Sequence, residues 1–379
     1  MNSRDDVRKK PSYADCRRLR IVRDAVHASV ILAALAVSCG SNGPDEAASE
    51  PWPDRIDLAV MDSIGSEFSD SSTAFGALGD VCFSENGDIL VLDQARSRVA
   101  VFSGSGDPVA VIGGPGSGPG ELNLPLAIAR LGDGRIFVLD PMSNSYEIFD
   151  GSDYSYIEET ALWENNPPMD PCGLDGAYYM GLKFEMDQSD GALTGISTLG
   201  RFMIGEADPG TVYWSSEFPV DLGDLGTFVK NMLRVLVFTG DPYGRVFYSE
   251  MSTEDYLVIA CRSDGTELFR ITADIRPVMK SQEEMAEEKA YMEHWISRMG
   301  GMGGMPVEWE PEPCRWMVAG LGVDGDHRLW VQRGTELMPV FDVFDMSGAH
   351  LFSARFPREG RSWRFHIESH GILAWEEDP

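Results

Sequence analysis

The stretch GGPGSGPGEL, residues 113–122, lies between two segments that are nearly alike. Five glycines and two prolines lead to an acid and a leucine. Upstream, residues 80–104 run DVCFSENGDILVLDQARSRVAVFSG; downstream, residues 127–151 run AIARLGDGRIFVLDPMSNSYEIFDG. Each is an apolar strand, a polar turn with glycine, an alternating strand ending in Asp, a polar loop and another strand. Alternation bounded by such turns signals hairpins, and self-similarity at this period indicates propeller blades. The glycine-rich stretch is then a crossing. VAVIG (109–113) is the outer strand of one blade and LPLAIAR (124–130) contains the inner strand of the next. Glycine permits positive φ and close backbone approach, and proline stiffens the path. Glu121 and Leu122 are placed to anchor its end.

The pattern returns four more times. GRVFYSE (244–250) precedes YLVIACRSDGTELFRI (256–271), and HRLWVQR (327–333) precedes VFDVFDMSGAHLFSARF (340–356). GAYYMGL (176–182) and HGILAWE (370–376) are weaker copies. Second strands then begin near residues 87, 134, 176, 244, 327 and 370, which predicts an all-β, six-bladed β-propeller. The run VIGGPGSGPGELNLPLAIARLGDGRIFVLD (111–140) resembles an NHL-type repeat, and its GPGEL is similar to the GPGEF of bacterial six-bladed propeller lipoproteins. The resemblance covers most of residues 55–376. It implies a fold and a cellular address; it implies little about activity, because such propellers host binding and enzymatic members alike. The last blade has two C-terminal strands, SWRFHIE (362–368) and GILAWEE (371–377), and RIDLAVMDSIG (55–65) is placed to add one strand that closes the ring.

The N-terminus differs from the rest. RRLRIVR (17–23) is basic, ASVILAALAV (28–37) is apolar and uncharged, and Ser38-Cys39-Gly40 follows. That order is a secretion signal, and the apolar run is short for a membrane span. AVSC resembles a lipobox in which Cys39 would be lipidated, with Ala36 where Leu is commonest. An ordinary signal cut nearby is the alternative, and a start at Val22 would give a more usual signal length. The expected organisation is a lipoprotein-type signal over 1–38, a linker over 39–54 and the propeller over 55–379. A lipid-anchored protein of the cell envelope, facing periplasm or surface, is the expected address.

Of the 379 residues, 61 are Asp or Glu and 31 Lys or Arg, a formal net charge of −30. That excludes nucleic acid, whose phosphates demand a basic surface. It also excludes a folded face adhering to anionic lipid by charge, so membrane contact is expected through the anchor alone. No CxxC or Cys/His cluster marks a zinc site. Cys82 and Cys261 fall in strand patterns and are expected as buried thiols. Cys172 and Cys314 follow prolines in irregular segments and are the better disulfide pair.

The elaborations gather on one predicted face. Residues 113–122, 219–234 and 272–314 are crossings, and 184–200 is expected to be a long loop in blade three. Loops on a rigid scaffold commonly carry function. The largest insert, a helical insertion between blades four and five spanning 275–313, contains SQEEMAEEKAYMEHWISRM (281–299). Met285, Met292, Trp295, Ile296 and Met299 share one helical stripe, and Ser281 with Glu284 has capping-box spacing. The helix either packs on the rim or serves as a lid or partner-binding element hinged at the following glycines.

Charged residues near inner-strand starts, Asp80, Asp170, Arg234, Arg315 and Arg364, are candidates for the axial mouth. They can bind an anionic or zwitterionic ligand, or close the channel with salt bridges. His366 is the one histidine on a predicted inner strand. Asp93, Asp140 and Glu250 end equivalent second strands, and Arg333 takes that slot in blade five. A carboxylate ring there can hold Ca²⁺; capping of the next loop is the competing role. No other cofactor is expected. No nucleophile elbow or phosphate loop is present. The expected function is a binding or scaffold module for a protein, small-molecule or glycan ligand. The alternative is a propeller hydrolase or lyase with an axial divalent metal, and a third is a carbohydrate binder using Trp163, Trp214 or Trp309.

Overall fold

Strands buried on both faces read as continuous apolar runs, and ILVLD and IFVLD are buried along their whole length. Period-two alternation sends successive side chains to opposite neighbours. Leu90 and Leu92 pack with Ile128 and Val138, while Ile89 and Val91 pack with Leu373 and Trp375. The core is therefore distributed between sheets rather than within one. Each fully buried side chain of this kind contributes roughly 1.5–3 kcal/mol of transfer free energy.

The structure is a computed structural model and describes residues 19–23, 51–52, 55–64, 75–161, 168–189, 191–221, 223–224, 226–228, 231, 236–298, 309–360 and 363–376. Three strands come from the N-terminal part: β1 (Leu19–Arg23), β2 (Arg55–Asp57) and β3 (Ala59–Ile64). Blade one is β4 (Leu78–Phe83), β5 (Ile89–Asp93), β6 (Arg98–Phe102) and β7 (Pro108–Gly113). Blade two is β8 (Ala127–Arg130), β9 (Ile136–Asp140), β10 (Ser145–Phe149) and β11 (Tyr156–Ala161). Blade three is β12 (Met169–Gly173), β13 (Tyr178–Asp187), β14 (Thr194–Met203) and β15 (Thr211–Pro219). Blade four is β16 (Leu236–Gly240), β17 (Arg245–Glu250), β18 (Tyr256–Arg262) and β19 (Glu267–Ala273). Blade five is β20 (Val318–Val323), β21 (Leu329–Arg333), β22 (Val340–Phe344) and β23 (His350–Arg355). The last blade begins with β24 (Trp363–Glu368) and β25 (Gly371–Glu376). Each sheet is antiparallel within its blade, and the inner strands β4, β8, β12, β16, β20 and β24 touch in a closed circuit. The protein is a six-bladed β-propeller.

Ring closure differs from the one-strand expectation. RIDLAVMDSIG is shared between two blades. β2 adds to blade five as a fifth strand, parallel to β23, with Arg355 paired to Asp57 at 2.7 Å. β3 joins blade six, and β1 lies between β25 and β3, antiparallel to both. Upstream of β2, Trp52 stacks on His350 at 4.7 Å and meets Phe344 edge-on, so the end of the expected linker is packed against the propeller.

The crossing at 113–122 closes on itself. Leu122 donates its N–H to the Gly114 carbonyl and is fully buried, and Glu121 accepts from the Gly118 N–H at 2.8 Å. Gly113 has φ 75°, and a Cβ there would sit 2.7 Å from the Leu122 side chain, so glycine is required on two counts.

Two expectations are corrected. Residues 184–200 are mostly ladder, not loop: β13 and β14 pair in register from Tyr178–Met203 to Asp187–Thr194. Leu182, Phe184 and Met186 alternate with Lys183, Glu185 and Asp187, which sustains the strand beyond the usual blade. Cys172 lies on the inner strand β12 rather than in an irregular segment, and Cys82, Cys172, Cys261 and Cys314 are all free thiols. No helix among the described residues is long and apolar enough to cross a membrane.

Candidate functional site

Two regions hold the predicted site residues. The first is the axial channel, lined by inner strands. On β24, Arg364, His366 and Glu368 recur at every second position and so share one face. His366 Nε2 lies 2.8 Å from Glu368 Oε1, and Arg130 from blade two reaches Glu368 Oε2 at 3.3 Å. Blades two and six are separated by blade one, so this pair bridges across the channel. Arg130 Nε also donates to the Phe83 carbonyl at 3.1 Å. Asp80 on β4 accepts from the Ile128 N–H at 3.0 Å and the Val81 N–H at 2.8 Å. Asp170 on β12 sits at φ 52°.

The electrostatics follow from depth. Burial raises the Asp80 carboxyl to about 6, against the Ile128 hydrogen bond and the His366 charge. Burial likewise raises Asp170, with Arg364 opposing. Burial would also raise Glu368, but His366 and Arg130 outweigh it and hold its carboxyl at about 2. Burial disfavours the His366 cation, yet Glu368 and Asp80 raise its pKa. The His366 and Glu368 side chains keep 27% and 22% of their surface accessible, so these deep groups still touch channel water. The channel is thus crossed by mutually compensating charges.

The second region is the elaborated face. The insert forms helix α1 (Gln282–Arg298). Its neck is zipped: the Lys280 N–H donates to the Pro313 carbonyl and the Arg315 N–H to the Val278 carbonyl. The capping box is present, with the Ser281 N–H on Glu284 Oε2 at 2.7 Å and the Glu284 N–H on Ser281 Oγ at 3.2 Å. Arg315 is committed here: its guanidinium holds Glu284 at 2.8 Å and the Thr335 carbonyl at 2.7 Å, which ties the helix start to blade five. Ile296 packs with Phe228 from the blade three–four crossing and with Trp309 from the far side of the insert. Met292, Phe184, Phe218 and Val220 complete this small core. The insert therefore spans from its neck at blade five to the extended hairpin of blade three. Met285 is half-buried on the same helix. Trp309 is itself buried and offers no open ring.

Arg234, Met299, Cys39 and Trp163, and the side chain of Trp295, lie outside the described residues. The strand-end acids divide. Asp93 Oδ1 accepts from the Gly76 and Ala77 N–H groups at 2.9 and 3.1 Å, with Arg96 and Arg98 nearby at 3.6 and 3.5 Å. Asp140 accepts from Asn123, Leu124 and Ser143. Both latch the crossing that enters their blade. Arg333, in the matching slot, forms a buried two-point pair with Asp342 at 2.7 Å, backed by the hydroxyls of Tyr256 and Ser353. Glu250 instead accepts from Trp214 Nε1 at 3.0 Å. Among the described residues no three His, Cys, Asp or Glu side chains are grouped to hold a metal ion.

Glu368 and Arg130 were absent from the sequence candidates. The signal for Glu368 was the alternation Arg364, His366, Glu368; nothing local pairs Arg130 with a residue 238 positions away.

The geometry defines the class: a closed six-bladed propeller with one elaborated face. A family model described as "6-bladed beta-propeller" matches residues 69–192. Human NHL-repeat-containing protein 4 is 29% identical over 112 residues, which cover 29% of this chain and 86% of that protein. Among solved structures, a member of the duf4221 family from Bacteroides vulgatus has 10% identity and a TM-score of 0.43, covering 81% of this chain and 94% of its own. A putative exported protein from Bacteroides fragilis has 14% identity and a TM-score of 0.38, covering 75% and 73%.

Proposed function

We propose that this chain is an exported, lipid-anchored binding module that engages a protein or ligand through its insert-bearing face. The observation that carries the reading is the shared core of Phe228, Ile296 and Trp309 with Phe184 and Phe218, which joins the blade three–four crossing, the insert and the extended hairpin of blade three into one body on one face. A propeller needs none of these segments to close. Building them into a packed, neck-zipped projection creates a second surface beside the ring, and loops fixed on rigid scaffolds are where recognition concentrates. The paired charges of the channel support binding over axial catalysis, since Glu368 already holds His366 and Arg130. The test is cross-linking in the native host of the intact protein and of a variant lacking residues 281–298. The reading predicts a defined adduct that the variant loses; identical adducts from both would sink it.

The anchor places a demand on the closing blade. Cleavage before Cys39 removes β1 and vacates the position between β25 and β3. Mass spectrometry of the protein from its host tests this: the anchor reading predicts a chain beginning at a lipid-modified Cys39, and a chain retaining residues 19–23 contradicts it.

A further inference from the structure

A cleft of about 240 Å³ opens between blades three and four, lined by Ser197, Trp214, Ser216 and Phe218 on one side and by Asn231, Glu250, Met251 and Ser252 on the other. We infer that this cleft is a binding site for a single neutral, hydroxyl-rich ring, that is, a monosaccharide unit. It deepens the binding-module reading by naming a ligand class for one flank of the same face.

Four observations lead there. First, the site contains a polar group with nothing to bind. Ser197 is 1% exposed, and its Oγ has no hydrogen-bond partner among the described residues. A buried hydroxyl left unpaired is costly, and Ser197 is among the residues that line the cleft. Second, the aromatic wall is fixed in advance. Trp214 Nε1 donates to Glu250 Oε1 at 3.0 Å, so the indole's polar edge is occupied and its orientation set. The ring is half-buried against the core between blades three and four, and what it still has to give is the part of its face left toward the cleft, which suits the C–H side of a sugar.

Third, the polar lining is of mixed donor and acceptor type. Serine hydroxyls and the Asn231 amide each donate and accept. Ser252 Oγ already accepts from the Glu254 and Asp255 N–H groups at 3.1 and 2.9 Å, which leaves its hydrogen to donate. A ligand whose own groups both donate and accept satisfies such a set. An ammonium only donates and would leave the amide hydrogens idle. A carboxylate or phosphate would face Glu250 and a chain of net charge −30. Fourth, the size is small. Pockets for drug-sized ligands begin at about 300 Å³, so this one takes one ring and leaves any further residues outside.

The experiment is saturation-transfer NMR on the full chain with glucose, galactose and N-acetylglucosamine, with tetramethylammonium as the cationic comparison. The proposal expects transfer to the ring protons of at least one sugar. It expects Ser197→Ala, which removes one oxygen, to weaken that sugar by about tenfold, the loss of one hydrogen bond. Trp214→Phe, which keeps a ring for folding but removes the latch to Glu250, is expected to weaken it by a similar factor. Transfer from none of the sugars, transfer unchanged in both variants, or transfer from tetramethylammonium alone each overturns it. None of these outcomes depends on α1, so the cleft can fail while the insert-bearing face still captures a partner, and the reverse.

Discussion

The acids at the ends of β5 and β9 are fully buried and those of the axial channel are half-buried, yet the two sets do different work. Asp93 and Asp140 accept backbone N–H groups and hold a crossing against its blade. Asp80 and Glu368 face other titratable groups across a wetted channel. Asp80 also accepts two backbone N–H groups, from Val81 and Ile128, so an amide latch alone does not set it apart from Asp93 and Asp140. What the channel acids add is a titratable neighbour, His366, whose charge acts on both Asp80 and Glu368.

Removing a latch should have the largest effect. Arg333→Leu leaves Asp342 charged and buried without its guanidinium, and breaking such a pair costs about 3–5 kcal/mol. Asp140→Ala orphans three backbone N–H groups, at a cost of about 3 kcal/mol. Urea denaturation measures both, and a loss under 1 kcal/mol for either would erase the distinction. The channel acids should instead change the shape of the pH profile. Glu368 has a folded pKa below its ordinary value of 4.5, so its stabilisation is present above that value and lost as pH falls toward about 2. Glu368→Gln should flatten this acid limb. It should also lower the His366 midpoint, readable by NMR, because the carboxylate that favours the imidazolium is gone. In the wild type, His366 adds stability below about 6.5 that fades as pH rises through its raised midpoint. Asp80 acts in the opposite sense: its folded pKa is raised from 3.8 to about 6, so stability falls as pH rises through that window. Asp80→Asn should show a shallower slope there, the smallest of these effects, and an unchanged slope would remove Asp80 from the responsive set.

Much of the ring was legible because blade-forming strands are local. All six second strands fall where the glycine turns and apolar runs place them, and the Ser281–Glu284 spacing gave the helix start. What escaped was long-range. The division of residues 55–64 between blades five and six depends on a parallel pairing with β23 that no local pattern encodes. The extended hairpin of blade three was hidden because its polar alternate residues resemble a loop, although Leu182, Phe184 and Met186 kept the strand period. His366 was visible as the inner-strand histidine, and its partner Glu368 lies two residues on in the same strand; what the local pattern could not show is Arg130, which reaches Glu368 from blade two. Arg315, grouped by sequence with the channel, belongs to the neck of the insert because Glu284 reaches it.

The central claim is that recognition occurs on the insert-bearing face. The most direct measurement places a photo-cross-linking residue at Glu287, on the exposed side of α1, and in a second variant at Asn86, in the turn between β4 and β5 on the opposite face. Both are exercised in the native host. The account predicts a specific adduct from position 287 and none from position 86; an adduct from position 86 alone, or no adduct from position 287, would contradict it.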